Sequence, residues 1–332
     1  MPVVINGQEL PVVWAPSGAL GVSFEPDVYW YERFWPWRKA ARRLRQSDVL
    51  PTTKSLGLYP IRGNTPLQGN GETPQQLLPS SMVVDFRTAT TLNAFGHSGF
   101  GVSHHLLQKT WDKIDRPWVL SVISDKLKWP EREKELLRIC EAIAKHKFNW
   151  DPIFEVVFGC PSVDLELHEM FGDCPKVIKL FKENLPGYTV GANISPIAMA
   201  RTFFEAEDAG ADYLRLCNTI PHWFVPDVGC AGLPNNIPWK DHSPLVDRGY
   251  KAGGYSGPMC AEIILERLAE LEIGTLVNIP VAFGNGFYTR ELIRRGFELG
   301  GRVLSLGMAK LVRPWVVEEL VDFAYSFHRQ GR

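Results

Sequence analysis

The sequence predicts an α/β fold, a parallel (β/α)8 TIM barrel with long insertions on the C-terminal face, and three observations carry that prediction. Eight short apolar runs recur along the chain, at 12–15, 49–53, 118–123, 153–158, 188–194, 213–217, 279–283 and 303–306. Strands buried on both faces read as continuous apolar stretches of this kind. Helical patterns separate them, at roughly 29–46, 101–112, 131–147, 175–184, 197–208, 258–271, 288–297 and 314–328. Several strands break straight into small-residue turns, most clearly GNG at 284–286 and LGM at 306–308. Glycine reaches positive φ without penalty and suits such junctions. A doubly wound open sheet is the competing reading, but no GxGxxG follows the first run. No linker composition divides the chain, so residues 1–332 are read as one domain.

Composition narrows the function classes. Of 332 residues, 45% are hydrophobic and 22% charged, enough apolar material for a sizeable core. Lys plus Arg number 36 against 37 for Asp plus Glu, so no net field points to nucleic acid, and a small-molecule partner is expected. Six cysteines without CxxC spacing argue against a zinc or cysteine-held cluster site; no metal is expected, and a reducing cytoplasmic setting fits. No apolar run approaches the ~20 residues of a membrane span. The aromatic and basic stretch at 28–45 resembles a membrane-surface helix, but Pro36 interrupts it and core packing explains an aromatic stripe as well.

Taken in order, the strand exits hold the chemistry. The second run ends in Lys54, an ammonium that would project into a barrel mouth and need an electron-rich partner there, although a solvated loop lysine is the plainer reading. The stretch at 91–103 offers Asn93 among three glycines, close enough for backbone to approach a flat ligand. Cys160 sits on a Gly-Cys-Pro turn after the fourth run, where a thiol acts as base or nucleophile if its pKa is lowered, though burial alone explains most cysteines. Asn218 and Thr219 after the sixth run can donate and accept at the edge of a heterocycle. The last two turns would aim backbone N–H groups at one point, as a phosphate cradle does. Segments 24–48, 55–92 and 219–257 are long for plain connections; the last holds His222, Asp227 and His242, which read as lid or solvated residues.

These motifs, taken together, resemble the dihydroorotate dehydrogenase family of FMN-dependent barrel enzymes. APSG at 15–18, TTKS and RGN within 52–64, NAFGHSGFG at 93–101, GCPS at 159–162, CNT at 217–219 and GGYSG at 253–257 precede the paired turns at 284–286 and 306–308. The resemblance implies an FMN cofactor with Ser17 and Gly18 along the flavin, and Lys54 and Ser55 near its reactive edge. Gly254, Asn285, Gly286, Gly307 and Met308 would surround the phosphate, Asn285 standing where glycine is usual. Asn93 and the Gly96-His97 backbone would face the substrate from one side, Asn218 and Thr219 from the other. Cys160 would be the catalytic base, removing a proton beside a carbonyl while hydride passes from the neighbouring carbon to the flavin. Little chain precedes the first strand, which implies a soluble electron acceptor or partner protein in place of a quinone-coupling extension. A homodimer is compatible with this picture.

The departures matter as much. The family's polar residues flanking the base read Val157 and Ser162 here, and the lysine expected at the end of the fifth strand is Asn193. Losing such groups removes about 1–3 kcal/mol of recognition each, so either other residues compensate or the substrate differs from dihydroorotate. A neutral Asn193 would also stabilise a reduced anionic flavin less than lysine does. Two further readings stay open: a flavin-binding barrel without catalysis, and a flavin-free barrel acting on a phosphorylated metabolite.

Overall fold

The computed structural model describes residues 2–159, 167–227, 237–273 and 277–330. Eight parallel strands form one sheet: β1 Val13–Ala15, β2 Val49–Pro51, β3 Val119–Val122, β4 Ile153–Phe158, β5 Val190–Ile194, β6 Tyr213–Leu216, β7 Val281–Gly284 and β8 Val303–Ser305. Their spatial order is β2-β1-β8-β7-β6-β5-β4-β3. The chain just beyond β2 closes the cylinder against β3 through parallel bridges Thr52↔Val119 and Leu56↔Val122. Leu56 N–H donates to Ser121 O at 3.0 Å and Ile123 N–H to Leu56 O at 3.0 Å. Each predicted strand is therefore present, and the open-sheet alternative is excluded by this closure. The main barrel helices are α1 Trp37–Leu44, α2 Val102–Leu107, α3 Trp129–Lys145, α4 Leu167–Asn184, α5 Ala200–Asp208, α6 Pro258–Ile273, α7 Arg290–Glu298 and α8 Val317–Arg329. Among the described residues, no helix is long and apolar enough to cross a membrane.

The interior is filled by size-matched layers. A Cβ at Gly191 on β5 would overlap the ring of Tyr213 on β6, so the absent side chain of one strand makes room for the large one of its neighbour. Tyr213 in turn meets Trp14 edge to face, with centroids 5.0 Å apart. An N-terminal hairpin, Val3–Ile5 paired with Gln8–Leu10, packs near the N-terminal ends of the strands, where Asn6 Nδ2 donates to Thr189 Oγ1 at 3.5 Å.

At the other end the two long insertions meet. Ile220–Pro221, Gly254–Ser256, Thr90–Asn93 and Met82–Asp85 form a four-stranded antiparallel sheet beyond β2 and β6, with Gly254 opposite Asn93. Its apolar face carries a second cluster of Leu92, Ile220, Tyr255 and Ile263. The third long segment breaks into a 3-10 turn at Trp30–Arg33 followed by α1, in place of the single helix over 29–46 read from its pattern, because Pro36 splits it.

Candidate active site

The strands deliver alternate side chains to the barrel axis, and their C-terminal layer is polar. Glu155 on β4 and Arg215 on β6 are both fully buried and paired, Oε2 to Nη1 at 2.5 Å. Asn193, in register with Arg215, donates from Nδ2 to the other oxygen of Glu155 at 3.1 Å. The guanidinium also lies 4.9 Å from the Trp14 ring centroid. The cation absent from the end of β5 is thus present one strand away, beside the same carboxylate.

Above this layer the strand exits converge on one cavity of ≈ 260 Å³. Ser17 and Gly18 come from β1, and Lys54 and Ser55 from β2; Ser17 Oγ, Ser55 Oγ and Ser121 Oγ form a chain with steps of 2.8 and 2.9 Å. Asn93, Gly96 and His97 line a second side, Asn193, Asn218 and Thr219 a third, and Asn285, Gly307 and Met308 the last. Val157 contributes an apolar patch where the family pattern called for a polar group. Asn285 sits at φ +72°, which asparagine tolerates, and its amide ties three loops together. Its Nδ2 donates to Asn218 O at 3.0 Å, and its Oδ1 accepts from Gly257 N–H at 3.1 Å.

Two of the residues read as phosphate neighbours stand off the cavity wall. Gly254 pairs with Asn93 in the cap sheet, and Gly286 packs with its Cα against the Gly257 carbonyl. Close backbone packing by itself requires glycine at 286. Cys160, and Ser162 beside it, lie outside the described residues. Cys217 is the cavity-lining cysteine among those described; burial pushes its thiol up to about 12, so it is no base near neutral pH. His222 Nε2 lies 2.8 Å from Trp239 O and His242 pairs with Asp247 at the surface, both away from the cavity, and the Asp227 side chain is not among those described. No group of three or more His, Cys, Asp or Glu among the described residues could hold a metal.

Sequence reasoning missed four lining residues. Tyr29 and Tyr31, stacked with centroids 5.5 Å apart, enter from the segment before α1. Behind them Lys310 is buried, bonded to Ala19 O and to Glu32 Oε1 at 2.5 Å, with its ammonium 4.5 Å from the Tyr29 centroid. Glu72 reaches in from the long loop after β2. No local spacing advertises any of them, since Glu32 and Lys310 are 278 residues apart.

Burial dominates the electrostatics. It pushes both Lys54 and Lys310 down to about 8, opposed by Glu72 at Lys54 and by Glu32 at Lys310. For Lys54 the folded-state value lies below the ordinary 10.5, so between about pH 8 and 10.5 the unfolded chain binds more protons and this group's contribution to stability rises with pH. Lys54→Met is therefore predicted to stabilise the protein at pH 7, by on the order of 1–3 kcal/mol. Urea unfolding of both proteins across pH 7–10.5 checks this; the gain should shrink toward the alkaline end.

No family model matches the chain. Among curated proteins, it is 24% identical over 274 residues to the catalytic subunit of dihydroorotate dehydrogenase B (NAD(+)) of Bacillus mycoides, covering 79% of each chain. It is 23% identical over 207 residues to the same-named subunit of Lachnoclostridium phytofermentans, covering 60% of this chain and 61% of that one. The chain thus spans about three fifths of the latter relative's length. Its fold matches a ligand-free DHODH from Eimeria tenella with a TM-score of 0.68 at 12% identity, over 99% of this chain and 88% of the other. The same enzyme in complex with ferulenol matches with a TM-score of 0.66, over 99% and 85% of the two chains. The chain thus resembles dihydroorotate dehydrogenase B catalytic subunits in sequence and shares the fold of the solved enzymes.

Whether this cavity suits a phosphorylated flat ring can be judged from its own atoms. A Cβ at Gly18 meets nothing within 4 Å, so the floor beside it is open. A Cβ at Gly307 would come 2.7 Å from Pro16 Cγ, so the β8 turn must be bare to lie against the β1 turn. Among the buried polar atoms that have no hydrogen-bond partner in the described residues are His97 Nε2 on the cavity wall and Ser305 Oγ at the end of β8. Such orphans cost free energy unless a ligand meets them, and the residues present therefore fit such a group. A larger surface cleft of ≈ 450 Å³ lies at the opposite end of the barrel, lined by Val3, Leu268 and Val281; strand exits bring no polar groups to it.

Proposed function

We propose that this protein is an FMN-dependent oxidoreductase that acts on a CH–CH bond beside a carbonyl in a small cyclic substrate. The observation that carries this reading is the convergence of seven predicted strand and loop exits on one cavity, in a chain whose relatives are named as dihydroorotate dehydrogenases. Bound flavin would supply a two-electron acceptor for the hydride leaving the substrate carbon. The chain's own residues would do the rest. Ser17, Gly18 and Ser55 line the side of the cavity along which the ring would lie, and Gly307 and Met308 the side nearest its phosphate. Asn218 donates from Nδ2 to Phe158 O at 3.0 Å, which fixes its amide and leaves its oxygen to face the cavity. Tyr29, Tyr31 and Phe95 cover apolar surface and keep water from the reacting carbons. Cys160, assigned by its position after β4 alone, would take up the proton from the carbon beside the carbonyl.

An anaerobic spectrum tests the reading. The protein should be yellow as purified or after adding FMN, and its flavin should bleach with a dihydropyrimidine substrate. A protein that stays colourless with FMN refutes the reading, and a yellow one that no dihydropyrimidine bleaches would fit a barrel without catalysis. Cys160→Ser is predicted to keep the flavin while bleaching about 10²-fold more slowly or worse, as measured by stopped-flow absorbance. Unchanged kinetics would remove Cys160 from the role.

A further inference from the structure

The charges in the cavity bear on which substrate this site takes, an inference that rests on the oxidoreductase reading above. Two lysines line the cavity, and each already has its own company. Lys310 is held by Glu32 and by the Ala19 carbonyl, behind the stacked tyrosines. Lys54, bonded to Ser98 O, is the ammonium left for a ligand, and the chain brings its own carboxylate to the same cavity. Glu72 is anchored to the 21–23 loop: Oε2 accepts from Val22 N–H at 3.1 Å and Ser23 Oγ at 3.4 Å. Glu72 also accepts from the Ser23 backbone N–H. Its loop packs on the turn that holds His97, since the Gly71 carbonyl lies 3.4 Å from where a Cβ at Gly99 would stand. Glu72 and the unpartnered His97 Nε2 both belong to the wall of this cavity. The wall beside them is apolar, formed by Leu67, Pro74, Phe95 and Val157.

We propose that the substrate is a neutral cyclic imide or amide, such as a dihydropyrimidine without a carboxylate, and that Glu72 is the residue that sets this preference. The Glu72 carboxylate accepts an N–H of the ring, and His97 meets the adjacent carbonyl. The –NH–C(=O)– edge of an imide supplies a donor and an acceptor side by side, which matches that pair. A ring bearing a carboxylate would place its negative charge in the same small space as Glu72, and Lys54 cannot neutralise both. Burial already raises the Glu72 pKa, and a second anion would add to that cost.

Titration of the FMN-loaded protein tests this, using the flavin absorbance change to follow uracil and orotate as unreduced ligands. The wild type should bind uracil at least about tenfold more tightly than orotate. In Glu72→Gln the preference should fall or reverse by about tenfold, chiefly through tighter orotate binding, because the amide removes the charge while keeping the shape. His97→Phe should weaken uracil and leave the effect of Glu72→Gln on orotate in place. Equal weakening of both ligands in Glu72→Gln would mean that Glu72 only braces the 21–23 loop, and would overturn the proposal. Tighter orotate binding by the wild type would overturn it too. A protein that takes up no flavin fails at the earlier step, and a yellow protein that favours orotate fails only here.

Discussion

Gly286→Val is expected to cost on the order of 3–5 kcal/mol of stability and to strip the protein of its flavin. Two penalties act at once. Residue 286 adopts φ +95°, a region closed to β-branched residues, and strain of this kind costs about 1–3 kcal/mol. A Cβ there would also overlap the carbonyl oxygen of Gly257, and backbone cannot swing aside as a flexible side chain can. Overpacking of a tight site adds roughly 1–3 kcal/mol. The displaced segment is the one that Asn285 ties to Asn218 and Gly257, so the walls from β6, β7 and the cap sheet would shift together. Gly18→Ala is the control: its φ of +79° is also strained, but its Cβ meets nothing within 4 Å, so a loss of only about 1 kcal/mol is expected. Urea midpoints and the flavin-to-protein absorbance ratio of the two variants check both statements. A Gly286→Val protein as stable and as yellow as the wild type would show that the contact with Gly257 does not hold this rim.

Arg215→Met is predicted to destabilise the protein by about 3–5 kcal/mol, because it strands Glu155 as a charge in a fully buried position. Asn193 would remain as a neutral donor to that carboxylate, too weak to replace a guanidinium. The double variant Arg215→Met with Glu155→Leu should recover most of the loss, since apolar residues of similar volume often substitute for a buried pair at no net cost. Denaturant unfolding of the two single variants and the double one gives the coupling energy directly. Additive losses would mean that the two residues act separately. The pair is a costly arrangement to keep inside a barrel, and its register puts a guanidinium beside Asn193, where the resemblance leads one to expect a lysine.

The parts of the fold that were legible in the sequence are those with local causes. Apolar runs such as Ile153–Phe158 and Val190–Ile194 announce strands because each residue must fit a surface buried on both sides. Glycine at 284, 286 and 307 announces turns because backbone packs where side chains cannot. Those signals also located most of the cavity, because a parallel barrel brings all its strand exits to one rim. The roles given to Gly254 and Gly286 rest on a signal with two sources. A glycine signals close approach, but nothing in the sequence says whether the approaching atom belongs to a ligand or to the protein itself, and the fold brings Gly257 against Gly286 and Asn93 opposite Gly254.

By itself, the sequence determined the order of strands and helices, the rim on which the loops gather and the family that the chain resembles. Tertiary structure alone decided which buried charges meet: Glu72 with Lys54, Glu32 with Lys310, and Arg215 with Glu155 beside Asn193 of β5. The physical reason is range. Strand and turn formation depend on neighbours a few residues away, whereas Coulomb interactions depend on distance in space, and in a low-dielectric interior they couple residues that the chain separates by hundreds of positions.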